Sequence, residues 1–405
     1  MSNNKPEEKT AESKYTAKSE LDRLFSTFGS LSKDAEVTKV LSTNDTSDHQ
    51  NTVLTMASIG KFGRFGNQLF QYAFLRICAE KSGARIECPT WVGQTLFGHQ
   101  DAPISKRLPP AIECRGEEVS LFDVIPELTP YIEKLADAKS SRVGSDGLNA
   151  GLANVDLWGF FQFHTRYFKP HQQYFRSLFQ PVDDLKLALD KGLATLRSKG
   201  KTIVGIHIRR GDYLTQQRAG FTLVFPTKWY CEWLEGLWSD LEDPVLLLCS
   251  DDLDSIVADF AKFSPVTTGD LKIQLPDGME ELDFYADFYM LTQCDVVCSS
   301  NSNFSFVACM LNQQATMFVR PHWDFSSRFI VFDPWDSDPI LYIGTPPKFF
   351  KSVSDSIHIT YTTQGTLAVL KSIFLYFPRS LIKEWLLRAY LRYKTSGMIS
   401  ALNFF

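Results

Sequence analysis

Thr202-Ile203-Val204-Gly205-Ile206-His207-Ile208-Arg209-Arg210-Gly211-Asp212 decides how the chain is read. Its near-continuous β-branched run suits a strand buried on both faces of a parallel sheet. Such a sheet takes its ligands outside the carboxyl ends of its strands, where this segment turns from apolar to charged. Side chains alternate along a strand, so His207 and Arg209 share one face as it runs out, and Arg210 begins the turn. Two adjacent guanidiniums there need an anionic partner. A diphosphate fits, because arginine presents a planar fork of donors that matches phosphate oxygens. Asp212 is placed to pair with one of them and fix its orientation. A surface salt-bridge cluster is the competing reading.

Downstream the pattern repeats. Val245–Cys249 reads as a strand ending in Ser250-Asp251-Asp252, Asp254–Phe263 as a helix, Leu271–Leu275 as a strand and Glu280–Gln293 as a helix. Asp295–Ser299 then reads as a strand, Asn303–Leu311 as a helix and Thr316–Val319 as a strand. Alternation at this spacing predicts a doubly wound α/β lobe. Upstream, Val53–Ile59 is β-like and leads into Gly63-Arg64-Phe65-Gly66-Asn67-Gln68, followed by apolar residues at helical spacing from Leu69 to Cys78. Gly83 suits the helix C-cap, and Ala84–Pro89 resumes as a strand. This is a β-α-β unit of a first lobe, with the stretch from Gly98 to about Pro181 read as irregular. Glycines between strand and helix let the backbone approach a pyrophosphate at the helix N-terminus. Glu87 sits where a dinucleotide fold puts its ribose-binding acid, so an NAD-type oxidoreductase competes. Arg64 and Asn67 argue instead for direct contact with phosphate or a glycosidic oxygen.

The expected organisation of the 405 residues is therefore a leader over 1–50, a first α/β lobe over 51–195, a second over 196–345 and a helical extension over 346–405. The leader is rich in Lys, Glu, Ser, Thr, Asn and Asp, a composition that disfavours a packed core. A formal charge of -5 offers no basic excess for a nucleic-acid backbone. The eight cysteines lie mostly in apolar runs and read as reduced thiols, and Cys294 and Cys298 lack a second ligand pair at zinc spacing. No run approaches the roughly 20 apolar residues of a membrane span, and the amino terminus lacks a signal-peptide pattern. A cytoplasmic or peripheral-membrane location is expected. The Leu367–Leu391 stripe, interleaved with Lys371, Arg379, Lys383, Arg388, Arg392 and Lys394, suits a docked helix or a basic membrane-surface helix.

Taken in order, GRFGNQLFQYA, HIRRGDY, Ser250-Asp251-Asp252 and SNSNFSFVACML resemble the α-1,2-fucosyltransferase family, glycosyltransferase family 11, over about residues 53–320. The resemblance implies an α/β, GT-B-like fold of two Rossmann-type lobes with parallel sheets, inversion at the fucose anomeric carbon, GDP-fucose as donor, a galactose-containing acceptor glycan and no required metal or other cofactor. It further implies that Arg209 holds the donor β-phosphate, with His207 and Arg210 beside it. Gly63, Arg64, Gly66 and Asn67 match the loop that faces the fucosyl phosphate. Asp287, or its neighbour Asp283, matches the acid that reads the guanine edge. Ser302 and Asn303 fall where hydroxyl and amide donors meet the diphosphate. Two departures stand out. The family's tryptophan pair is replaced by Phe306-Val307, and Gln217 occupies the place of a glutamate base, so the base is unassigned. Protein O-fucosylation and a non-catalytic GDP-sugar-binding module are the alternatives.

Overall fold

The computed structural model describes residues 52–114, 141–215, 224–322 and 329–341. The chain divides into two compact units. The first runs to Phe163 and takes in Pro170–Gln180; the second holds His164–Lys169 and the chain from Pro181.

The first unit is built on strands β1 (Val53–Thr55), β2 (Arg85–Glu87), β3 (Pro110–Glu113), β4 (Ser141–Val143) and β5 (Val155–Trp158), in the order β2-β1-β5-β3-β4. Every pairing is parallel. The helix Phe65–Ser82 crosses from β1 to β2 and buries Leu69, Phe70, Phe74 and Ile77. It stops where Gly83 takes a left-handed φ of 65° and its N–H bonds the Ala79 carbonyl, the expected αL cap.

The second unit is built on β6 (Thr202–Ile208), β7 (Pro244–Ser250), β8 (Val296–Cys298), β9 (Met317–Pro321) and β10 (Phe329–Val331), ordered β10-β9-β8-β6-β7. Only the edge strand β10 runs antiparallel. β6 lies between β7 and β8. One of its faces sets Val204, Ile206 and Ile208 into a core with Trp229, Tyr230, Leu234 and Phe260. On the other face Gly205 lets Leu291 and Cys294 approach the strand backbone. Helices Asp183–Arg197, Phe284–Leu291 and Asn303–Leu311 belong to this unit. Both units are thus α/β with parallel-dominated sheets, the two Rossmann-type lobes expected from the sequence.

Several elements differ from expectation. Leu271–Leu275 forms no strand. The chain instead makes a 3-10 turn at Thr268–Leu271, closed by a capping box of Thr267 and Asp270, and Lys272 takes a φ of 50°. That left-handed residue breaks the extended run, and upstream of it Val266 bridges Leu247 of β7. Residues 254–263 are 3-10 rather than α-helical. The stretch read as irregular supplies β3, β4 and β5. The helix Asp183–Arg197 lies wholly in the second unit, so the division falls at 180/181 rather than at 195/196. Arg197 ties that helix to the Gln293 carbonyl at 2.7 Å, and Asp190 accepts from Tyr289 Oη at 2.5 Å. The leader over 1–50 and the extension over 346–405, with its basic helix, lie outside the described residues. Among the described residues no helix is long and apolar enough to cross a membrane.

A methyl group at Gly205 would stand 2.5 Å from Cys294 Sγ and 3.1 Å from Leu291. Gly205→Ala is expected to cost about 1–3 kcal/mol of overpacking, read as a lowered denaturation midpoint at unchanged m-value. A midpoint equal to the parent's would mean that this face of β6 is not closed as described.

Candidate active site

The carboxyl edge of the second sheet is assembled by strand register. Ile208 pairs with Ser250 across β6 and β7, so Asp251 follows beside Arg209. The Ser250 hydroxyl donates to the Ile208 carbonyl at 2.8 Å and accepts from Asp252 N at 3.1 Å, locking the turn. Arg209 is held from two sides: its Nη2 bonds Asp212 Oδ1, and its Nη1 lies 2.6 Å from Asp251 Oδ2. Its guanidinium lies over the Tyr213 ring, 5.2 Å from the centroid. Arg210 Nε reaches Asp252 Oδ2 at 3.2 Å. The Arg209 side chain is only 12% exposed, and a charge that deep requires paired, hydrogen-bonded partners. Asp252 is held below the usual carboxylate range by the Ser255 hydroxyl and by Arg210.

Next to this cluster, at the end of β6, His207 is buried. Its Nδ1 lies 2.9 Å from Ser300 Oγ and 3.0 Å from Ser305 Oγ. Its ring tilts against Phe304, with centroids 5.0 Å apart. Each hydroxyl has one proton to give. Ser299 Oγ gives its proton to the Ser300 carbonyl at 2.9 Å, so Ser305 is left to donate to Ser299 Oγ at 2.9 Å or to the Ser302 carbonyl at 3.3 Å. With Ser305 donating in either of these ways, the proton between His207 and Ser305 sits on Nδ1, and Nε2 is then the acceptor nitrogen. Burial and the neighbouring Arg209 push the imidazole down to about 3, so it is neutral near neutral pH. Ser302 caps the helix Asn303–Leu311 by accepting from Phe304 N at 3.3 Å. Asn301 binds the backbone of Leu341 with both ends of its amide, at 3.0 and 2.7 Å.

Asp287 stands apart from the arginines, on the helix Phe284–Leu291. It accepts from Thr268 Oγ1 at 2.6 Å and from the Cys249 thiol, and burial raises its carboxyl to about 6. Cys249 is the register partner of His207, so the acid lies one strand over from the histidine. Asp283 caps that helix by accepting from Phe284 N at 2.8 Å.

The first unit carries its own cluster at the carboxyl end of β1. Gly63 has φ 74°, and a β-carbon there would overlap Asn67 Nδ2 at 1.9 Å, so this glycine is required both by the turn and by the Asn67 side chain lying over it. Asn67 Oδ1 accepts from Gln162 Nε2 at 2.9 Å. Gln71 donates to the carbonyls of Gly159 at 2.9 Å and Phe62 at 3.4 Å, which ties the glycine loop to the end of β5. Arg64 is the exposed N-cap and Gly66 is buried. Glu87 does not serve as a ribose-binding acid. It is buried, with both oxygens taken by Ser105 at 2.7–2.9 Å and one also by Arg85 at 2.7 Å, so it staples a loop.

The sequence profile of Glycosyl transferase family 11 matches residues 32–331. This chain belongs to glycosyl transferase family 11. The match begins inside the stretch read as a leader. Galactoside alpha-(1,2)-fucosyltransferase 1 of Leontocebus fuscicollis is 26% identical over 263 residues, 64% of this chain and 66% of the relative. Galactoside alpha-(1,2)-fucosyltransferase 2 of Oryctolagus cuniculus is 25% identical over 283 residues, 69% of this chain and 73% of the relative. The chain spans just under two thirds of the length of the first of these. Among solved structures, a NodZ alpha-1,6-fucosyltransferase soaked with GDP-fucose is 14% identical with a TM-score of 0.44, covering 70% of this chain and 99% of that one.

The structure brings His207, Arg209, Arg210, Asp212, Ser302 and Asn303 to one sheet edge of the second unit, and Gly63, Arg64, Gly66 and Asn67 to one loop of the first. Sequence reasoning gave no role to Ser300, Ser305, Tyr213 and Gln162, and placed Asp251 and Asp252 on the nucleotide side at the end of a strand without seeing them as the arginines' partners. Only strand register could have exposed that pair as the partners of the arginines.

The neutral imidazole carries a pH signature. Between about 3 and 6.5 the unfolded chain takes up a proton that folded His207 refuses, so the fold loses stability as pH falls through that window. Asp287 works the other way. Folded, it keeps a proton between 3.8 and about 6 that the unfolded chain has lost, which favours the fold as pH falls. His207→Asn retains an N–H donor toward Ser305 and removes the first effect alone. The variant is expected to lose less stability than the parent when denaturation midpoints are compared down the upper part of this window; equal pH slopes would mean that His207 is not held neutral.

Proposed function

We propose that the chain is an inverting fucosyltransferase that moves L-fucose from GDP-fucose to a galactoside hydroxyl, forming an α-1,2 linkage. The observation that carries this reading is Arg209, fixed by Asp212 and Asp251 at the carboxyl end of β6, an interior parallel strand. Fucosyl departure leaves negative charge on the β-phosphate of GDP. A guanidinium already oriented toward that charge stabilises it without reorganising at the moment of reaction. Arginine retains donors for a phosphate even when two of its five N–H groups are engaged. The names of the relatives, galactoside alpha-(1,2)-fucosyltransferases, support the acceptor class and the linkage. Asp251 and Asp252 are spent on the arginines, which supports a reaction that needs no metal clamp at this turn. The serine-held, neutral His207 suits an acceptor of a donor-substrate hydroxyl or N–H better than a phosphate cation.

Incubation with GDP-fucose and a panel of galactosides, followed by linkage and anomer analysis, tests the reading. An α-1,2-fucosylated product formed equally well in EDTA is expected. No transfer to any galactoside, or transfer that chelation abolishes and Mn²⁺ or Mg²⁺ restores, would contradict it. Arg209→Lys keeps the charge but loses the planar fork, and is expected to lower kcat by about 10²–10³ while lowering the melting temperature by only a few degrees. Near-wild-type kcat would remove the arginine from its proposed role.

A further inference from the structure

We propose that Asp251 is a positioning residue for fucosyl transfer, acting only through Arg209; the assignment rests on the reading of Arg209 given above. One carboxylate performs two tasks at the end of β7. Its Oδ2 takes Arg209 Nη1 at 2.6 Å, and its Oδ1 accepts the backbone N–H of Arg210 at 2.8 Å. It thereby fixes both the fork and the backbone from which the fork projects.

The glycine of the RRGD segment follows from the same contact. Gly211 has an ordinary backbone angle, but a β-carbon there would lie 2.3 Å from Asp251 Oδ2. A side chain at 211 would push the carboxylate off the guanidinium. The Gly211 position and Asp251, 40 residues apart in the chain, are therefore one device. The Ser250 hydroxyl bonds that close the turn leave Asp251 little freedom to follow a displaced partner.

The carboxylates outnumber the guanidiniums. Asp212, Asp251 and Asp252 face Arg209 and Arg210, so the cluster is formally anionic before any donor arrives. Attraction of a diphosphate by surplus positive charge is not what this arrangement provides. It provides orientation, since Arg209 is hydrogen-bonded through Nη2 to Asp212 and ion-paired through Nη1 with Asp251. Loss of Asp251 should then leave the ground-state pull on the donor similar or stronger, while the fork loses its aim. The effect belongs in kcat more than in donor KM.

The test is a double-mutant cycle on the full chain with GDP-fucose and the galactoside acceptor, with melting curves alongside. Asp251→Asn keeps an oxygen for the Arg210 N–H and removes the ion pair with Arg209. It is expected to lower kcat about ten- to a hundredfold with a smaller change in donor KM. Combined with Arg209→Lys it should be no slower than Arg209→Lys alone, because both changes remove the same aimed fork. Wild-type kcat in Asp251→Asn, or losses that multiply in the double variant, overturns the proposal. Gly211→Ala displaces the carboxylate without touching any charge and should reproduce the kcat loss; wild-type turnover there also overturns it, even if Asp251→Asn fails to fold. Undiminished turnover in Arg209→Lys would instead sink the donor-phosphate reading, so the two failures are distinguishable.

Discussion

A guanidinium set into the carboxyl end of a buried parallel strand cannot stand without anions, and the pairing of Arg209 with Asp212 and Asp251 meets that constraint in the second unit. Much of the local architecture follows from it. The β6–β7 register must bring Ser250 level with Ile208, or Asp251 would miss its partner. Residue 211 must lack a side chain. The Ser250 hydroxyl must close the turn, and Asp252 must take the second arginine. The apolar faces of β6 supply the opposing rigidity, since a strand buried on both sides fixes where its last residues emerge.

The first unit meets a related constraint with buried carboxylates and amides. Loops that leave a parallel sheet carry backbone N–H groups with no strand partner, and each requires an acceptor. Glu113, at the end of β3, accepts from Phe160 N at 2.7 Å and Phe161 N at 3.0 Å where the chain turns through a φ of 52° after β5. Asp156 takes Thr55 Oγ1, Ala57 N and Trp158 Nε1 at 2.6–2.9 Å. Glu87 does the same for Ser105. Acidic residues near strand ends in this lobe are structural, which is why the resemblance of Glu87 to a ribose-binding acid misleads.

What was legible in the sequence is what local physics encodes. β6 declares itself through its near-continuous β-branched run, and the helix Asn303–Leu311 through its place in the strand–helix alternation. The glycine loop and the arginine pair are local too. Strands of three or four residues, such as β3, β4 and β5, carry too little pattern to be seen in an aromatic-rich stretch. Leu271–Leu275 has the alternation of a strand, but a capping box pulls the chain into a turn and Lys272 leaves the extended region. The partners of the site residues were least legible. Asp251 lies 42 residues from Arg209, and Ser305 lies 98 residues from His207. Nothing short of the sheet order brings them together.

The role proposed for Arg209 is to receive, while oriented by carboxylates, the terminal phosphate of the donor's diphosphate. Calorimetric titration of GDP and GMP into the wild-type chain and into Arg209→Ala isolates that contact, because the two nucleotides differ only in the β-phosphate. A charge-assisted contact of this kind is worth about 1.5–3 kcal/mol, so wild type should favour GDP over GMP by about ten- to a hundredfold. Arg209→Ala is expected to bind the two nearly alike. A GDP preference that survives the substitution undiminished would contradict it.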